Sequence, residues 1–300
     1  MTENDIIDTV SKFDEFRLRN LATSQTVDEH PQDRLVIEML PLNEKTVDGV
    51  AIERTAYGIK IDRKSNVTIV APTAATENSI GHCAYYLAQF GGFNLISREF
   101  VQDVDEPVSY YTIDGKEEEW EEPLRRFVED IKGLSNGEGK EKEKKWNIVL
   151  AAADNVHDTQ VHFIHKTKEK GKERMTTSNE AEAKLNDAFD ELAATLKSDY
   201  NLGADMDEKY RPVGNKNIAV RAGEGNSNNA FCLRLSYSII TWTESWAPIL
   251  LDMAKVFKRH FESSKRQEFV ENKAWKTKGW GLGEGEILPD PQEEKKKKSK

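Results

Sequence analysis

Three of the six histidines of this chain, His157, His162 and His165, fall within nine residues, in the stretch NVHDTQVHFIHK. Clustered imidazoles with Asp154 and Asp158 beside them are the raw material of a metal site or an acid–base pair. The spacing argues against one shared metal. Val161, Phe163 and Ile164 favour an extended strand over 160–166, and residues three apart on a strand point to opposite faces. The trio matches no recognised ligand spacing, so buried or surface histidines are the plainer reading, and no metal or cofactor is implied.

The segment Asn66–Phe90 reads as strand, loop and helix, the arrangement that presents helix N–H groups to a phosphate. Its loop, PTAATENS, lacks the glycines that let backbone close on a pyrophosphate, and Thr73, Thr76 and Ser79 serve equally as helix caps. Cys83 follows His82 directly, but neighbours on a helix point about 100° apart and make a poor nucleophile–base pair. Cys83 and Cys232 both sit in apolar runs and read as small core residues. RAGEGNSNNAF at 221–231 lacks the third glycine of a dinucleotide fingerprint and reads as a loop. No nucleophile-elbow or His-Glu-x-x-His motif is present.

The C-terminal region combines charge with aromatics. Lys255, Lys258, Arg259, Lys265 and Arg266 are followed by Lys273, Trp275, Lys276, Lys278 and Trp280. Lysines interleaved with indoles suit single-stranded nucleic acid, where phosphates meet ammonium groups and bases stack on flat rings. The alternative is that Trp275 and Trp280 pin the segment onto the body of the protein. Residues 254–300 hold thirteen Lys/Arg against eight Asp/Glu, while the whole chain carries −10. An acidic body thus bears a basic end, and the closing EEKKKKSK reads as a disordered lysine tail.

Elements that would position these groups can be read from periodicity. Helices are expected over 4–23, Thr76–Phe90 (closed by Gly91-Gly92), Trp120–Leu134, the Leu185–Tyr200 stripe and Trp246–Phe261. Thr177-x-x-Glu180 reads as a capping box for the fourth. Strands are expected at Leu35–Leu40, Val50–Ile61, Val67–Val70, Asn94–Ile96, Val108–Ile113, Trp146–Ala152 and Gln160–Lys166. Ser135–Lys145 and Lys168–Arg174 read as charged loops, and Phe231–Ile240 suits either a strand or a buried helix.

The expected fold is mixed α+β. An N-terminal helix or arm (1–30) precedes a mixed α/β part (31–168), then a mainly helical part (175–282) and the lysine tail (283–300). Charged residues make up 32% of the chain, yet twelve Phe, eight Tyr and six Trp argue for a real core. No apolar run approaches the roughly 18–20 residues of a membrane span, and the acidic start does not resemble a signal peptide. An intracellular protein, cytoplasmic or nuclear, without membrane association is therefore expected. Three functions compete. A nucleic-acid-associated structural protein of nucleocapsid, coat or single-strand-binding type explains the basic C-terminal region and suits a homo-oligomer. An α/β enzyme, with its site near the 66–83 strand–loop–helix and the 154–165 His/Asp cluster, explains the strand–helix alternation. A protein–protein scaffold is the third. The first is the leading expectation.

Overall fold

The computed structural model describes residues 46–47, 49–75, 77, 80–99, 110–111, 113, 115–134, 145–153, 159–169, 172–206, 217–222, 228–240 and 243–262. The expected helix over 4–23, the strand at 35–40 and the lysine tail lie outside these residues. In chain order the first elements are β1 (Thr46–Val47), β2 (Val50–Arg54), β3 (Gly58–Ile61), β4 (Val67–Ala71), α1 (Ile80–Gly91), β5 (Asn94–Arg98) and α2 (Glu122–Leu134). They are followed by β6 (Lys145–Ala153), β7 (Val161–Ile164), β8 (Lys166–Glu169), β9 (Lys172–Met175), α3 (Asn179–Tyr200) and β10 (Ala204–Met206). The chain continues with α4 (Ile218–Ala222), β11 (Asn228–Ser236), α5 (Tyr237–Ile240) and α6 (Thr243–Phe261).

The mixed α+β expectation holds. Nine strands form one sheet in the order β1-β2-β3-β5-β4-β6-β11-β7-β10. Its centre, β5-β4-β6-β11, is parallel throughout, with antiparallel β3 and β7 on either side. Every residue of β4 (VTIVA) is buried, as expected of a parallel strand covered on both faces. Helices α1, α3 and α6 supply the apolar core on one face, while α2 and α4 pack on the other. All twelve residues of α1 are buried, because α6 covers the side that the sheet leaves open. Gly92, at φ +65°, ends that helix with the left-handed turn that a glycine adopts without strain.

Local differences from the sequence reading have simple causes. Val50–Ile61 is two strands, since Thr55 and Gly58 exchange backbone hydrogen bonds across a tight turn. Where Lys168–Arg174 was expected to be a charged loop, Lys166–Glu169 and Lys172–Met175 pair as the antiparallel strands β8 and β9, with Lys168 in register with Glu173. Of the strand expected at 108–113, the described residues Tyr110, Tyr111 and Ile113 are not extended pairing residues. The cap of α3 is Ser178 rather than Thr177, its hydroxyl accepting from the Ala181 amide. Phe231–Ile240 satisfies both of its alternatives, as the end of β11 followed by the short α5. The part read as mainly helical also contributes β10 and β11 to the sheet.

A buried ionic knot ties α2 to the sheet edge. Asp130 accepts hydrogen bonds from Tyr57 Oη (3.0 Å), Lys60 Nζ (3.0 Å) and Arg126 Nε (2.9 Å). Burial first, and the Asp130 charge second, hold the Tyr57 hydroxyl well above the ordinary tyrosine value. Burial pushes Tyr110 up to about 12 and Cys232 up to about 11. Burial alone would depress Lys60, but its hydrogen bonds to Glu53 and Asp130 prevail and raise it. All four shifts have the same sign: the folded state keeps protons that the unfolded chain releases. Their stabilisation is complete below the unfolded values, which lie at about 8.5–10.5, and is lost as pH climbs through the folded ones. The thermal midpoint is therefore expected to fall progressively from about pH 9 to pH 11.5, and less steeply in Tyr57→Phe. A circular-dichroism melting series with a flat midpoint across that range would contradict this.

Candidate functional site

Strands β4 and β6 are parallel neighbours, but their chains depart in opposite directions along the sheet. β4 leads through α1 to β5 on one side, whereas β6 leads to β7, beyond β11, on the other. The register between them ends at Val70 opposite Val149, so among the described residues the Ala152 peptide has no strand beside it on the β4 side. Two side chains take the strand's place. The Ala152 amide donates to Glu77 Oε2 at 2.7 Å, and its carbonyl accepts from Arg234 Nε at 3.0 Å and Nη2 at 2.8 Å.

Each partner is placed by its element. Glu77 lies between β4 and α1, and Thr73 Oγ1 donates to the same Oε2 at 2.8 Å, fixing the carboxylate. Among the described residues the other oxygen, Oε1, receives no hydrogen bond. Arg234 stands on β11 opposite Ala151. The methyl side chains of Ala151 and Ala153 leave room for a guanidinium to cross the strand between them.

On β7, His162 is paired in register with Arg234 and therefore shares its face of the sheet. Its Nδ1 lies 2.8 Å from Oδ1 of Asp205, the residue opposite it on β10. A carboxylate on one ring nitrogen fixes the orientation of an imidazole. On the same side of the sheet, Tyr111 Oη lies 3.1 Å from Cys232 Sγ. Burial raises both groups, so the thiol is protonated at neutral pH.

The residues singled out in the sequence are dispersed. His162 and His165 diverge, His165 lying 3.6 Å from Glu182 of α3 on the opposite face, and His157 lies outside the described residues. No group of three or more His, Cys, Asp or Glu among the described residues is placed to hold a metal. Cys83 is fully buried on α1, and burial raises its thiol far above the usual range. On α6, Lys255 pairs with Asp252 (2.9 Å), Arg259 pairs with Glu191, and Lys258 is buried. Lys265, Arg266, Lys273, Trp275, Lys276, Lys278 and Trp280 lie outside the described residues. Sequence reasoning missed Glu77, Arg234 and Asp205. For Arg234 a signal existed: it is the one charge in the run AFCLRLSYSII.

No protein-family model and no curated protein matches the sequence. Among solved structures, the chain is similar to the gene product Atu2144 from Agrobacterium tumefaciens, with 10% identity and a TM-score of 0.44 over 70% of this chain and 92% of that one. It is also similar to a bacteriophage poly-gamma-glutamate hydrolase, with 13% identity and a TM-score of 0.36 over 76% and 93%. A third likeness is to isoform 2 of uridine phosphorylase from Schistosoma mansoni, with 9% identity and a TM-score of 0.38 over 69% and 89%. The expectation of a nucleic-acid-associated structural protein, with nucleocapsid and RNA-binding roles, is corrected where the structure describes its basic surface: the described basic residues of α6 are paired with acids or buried in the fold. No helix among the described residues is long and apolar enough to cross a membrane.

Proposed function

We propose that the chain is an α/β enzyme that works by general acid–base catalysis on a small polar substrate. Its reaction centre lies past the carboxyl ends of β4 and β6. One observation carries the reading: an ionisable pair of opposite charge, Glu77 and Arg234, grips the amide and the carbonyl of Ala152 where the strand order reverses. Open α/β sheets bind their ligands at this point, because the diverging loops leave a crevice there. Glu77 is the proton-transfer group, through Oε1. Arg234 is a fixed cation beside it, and the His162–Asp205 pair lies further along the same edge.

The test is consumption of small molecules. The parent protein and Glu77→Gln are each incubated with a defined mixture of water-soluble metabolites, and depletion is followed by mass spectrometry. At least one component is expected to disappear with the parent, and far more slowly with Glu77→Gln. Equal depletion by both proteins, or depletion by neither, ends the reading.

A further inference from the structure

Arg98 closes β5, the strand on the far side of β4 from the crevice, and it is 2% exposed. A guanidinium so deeply buried ordinarily has a carboxylate beside it, because an unpaired charge in a low-dielectric interior is costly. Here Nε and Nη2 are both buried and reach no hydrogen-bond acceptor among the described residues. The adjacent acid, Glu99, does not supply one. Side chains alternate along an extended strand, so Glu99 shares the face of Ser97, whose hydroxyl donates to it at 2.5 Å. The surroundings of Arg98 are instead aromatic. Its guanidinium carbon lies 3.9 Å from the centre of the Tyr110 ring, which packs edge-on against Phe127, as does Tyr57. Burial correspondingly lowers the Arg98 value from the ordinary arginine one.

The arrangement is built rather than incidental. Gly58 is the register partner of Arg98 on β3. A Cβ there would come within 2.2 Å of the Ser97 carbonyl oxygen and 2.4 Å of the Glu99 amide nitrogen, so only glycine lets β3 approach β5 at this point. Nε and Nη2 form one edge of the guanidinium, the parallel fork that takes two oxygens of a carboxylate or phosphate.

We propose that Arg98 is the receptor for a compact oxyanion, a phosphate or carboxylate group of the substrate, held by the Nε/Nη2 fork beneath Tyr110. This deepens the proposed function and rests on it for the identity of the anion as part of a substrate. Ala71 of β4 pairs with Ser97, so Arg98 stands beside the start of the loop that carries Glu77. Neighbouring strands are about 4.8 Å apart, which puts the fork within the span of a small molecule reacting in the crevice.

The experiment measures stability with and without anion, using the full chain in a non-phosphate buffer. Orthophosphate and succinate are the two probes, and they separate the two oxyanion classes. The parent is expected to show a saturable rise in thermal midpoint with one of them. Arg98→Met, of similar length but uncharged, is expected to melt about 2 °C or more above the parent without anion, since a buried charge has been removed. It is also expected to show no anion response. A lower midpoint for Arg98→Met would make the arginine a structural partner of Tyr110 and overturn the proposal. So would an anion response that survives the substitution, or a parent that responds to neither probe. Glu77→Gln is expected to keep the anion response, so failure of the crevice reading leaves this result intact. Loss of the response in that variant would place the anion at Glu77 and overturn the assignment to Arg98.

Discussion

Phe257→Ala is expected to destabilise the protein by about 3–5 kcal/mol, the cost of emptying a fully buried aromatic site. Phe257 is the pin between α6 and the sheet. Its ring lies 5.8 Å from Phe231 of β11 and 6.0 Å from Phe163 of β7, both near perpendicular, and 5.7 Å from Phe261 on its own helix. Phe163 and Phe231 are themselves stacked at 5.2 Å. No single neighbour can fill the vacancy, because the remaining rings are held by one another as well as by the backbone. Removing the ring also loosens α6 from α1, whose buried outer side it covers. The measurement is urea unfolding, with a lowered midpoint at unchanged slope. Lys255→Ala on the solvent side of α6 is the control. Its side chain is half exposed and its ion pair with Asp252 is a surface one, so a change within about 0.5 kcal/mol is expected. A loss below about 1 kcal/mol for Phe257→Ala would mean that α6 is not part of the core.

The same helix explains why its sequence suggested a nucleic-acid surface. Between 255 and 261, lysine and arginine alternate with valine and phenylalanine, a pattern shared by a basic aromatic platform and an ordinary amphipathic helix. Helical spacing sends Phe257 and Phe261 inward and leaves Lys255 and Arg259 outside, where acids of this chain meet them. Local elements were legible wherever the apolar period was strong, as in β4, α1, β6 and α6. Elements stabilised by distant pairing were not. The alternating charges of 166–175 look like a loop until the two strands are placed opposite each other. Nothing local reveals that β11 lies between β6 and β7. The candidate site depends on that placement, because Arg234 reaches Ala152 only when β11 lies beside β6. Glu77 is hidden differently: a loop of hydroxyl residues without phosphate-binding glycines gives no local sign that its carboxylate bonds a strand amide 75 residues away. His162 was noticed, but its partner Asp205 lies 43 residues away and acquires meaning only through the pairing of β7 with β10.

Glu77→Gln is expected to lower turnover by about 10²–10⁴-fold, the usual contribution of a positioned acid–base group, while leaving the fold in place. The choice of glutamine follows from the geometry. Its amide oxygen can occupy the Oε2 position and accept from the Ala152 amide and the Thr73 hydroxyl, so both part-buried contacts persist. What disappears is a group able to take and return a proton. Glu77→Ala is a poorer test, because it strands the Ala152 amide and adds about 1–3 kcal/mol of structural damage to any chemical effect. The two variants together separate the roles. If Glu77 served only to finish the edge of β6, Glu77→Gln would behave as the parent and Glu77→Ala would lose stability and activity in step. If it transfers protons, Glu77→Gln melts within about 1 kcal/mol of the parent yet loses its turnover, and the loss lies in kcat more than in KM. That split is what a carboxylate anchored through Oε2, with Oε1 bonded by none of the described residues, should produce.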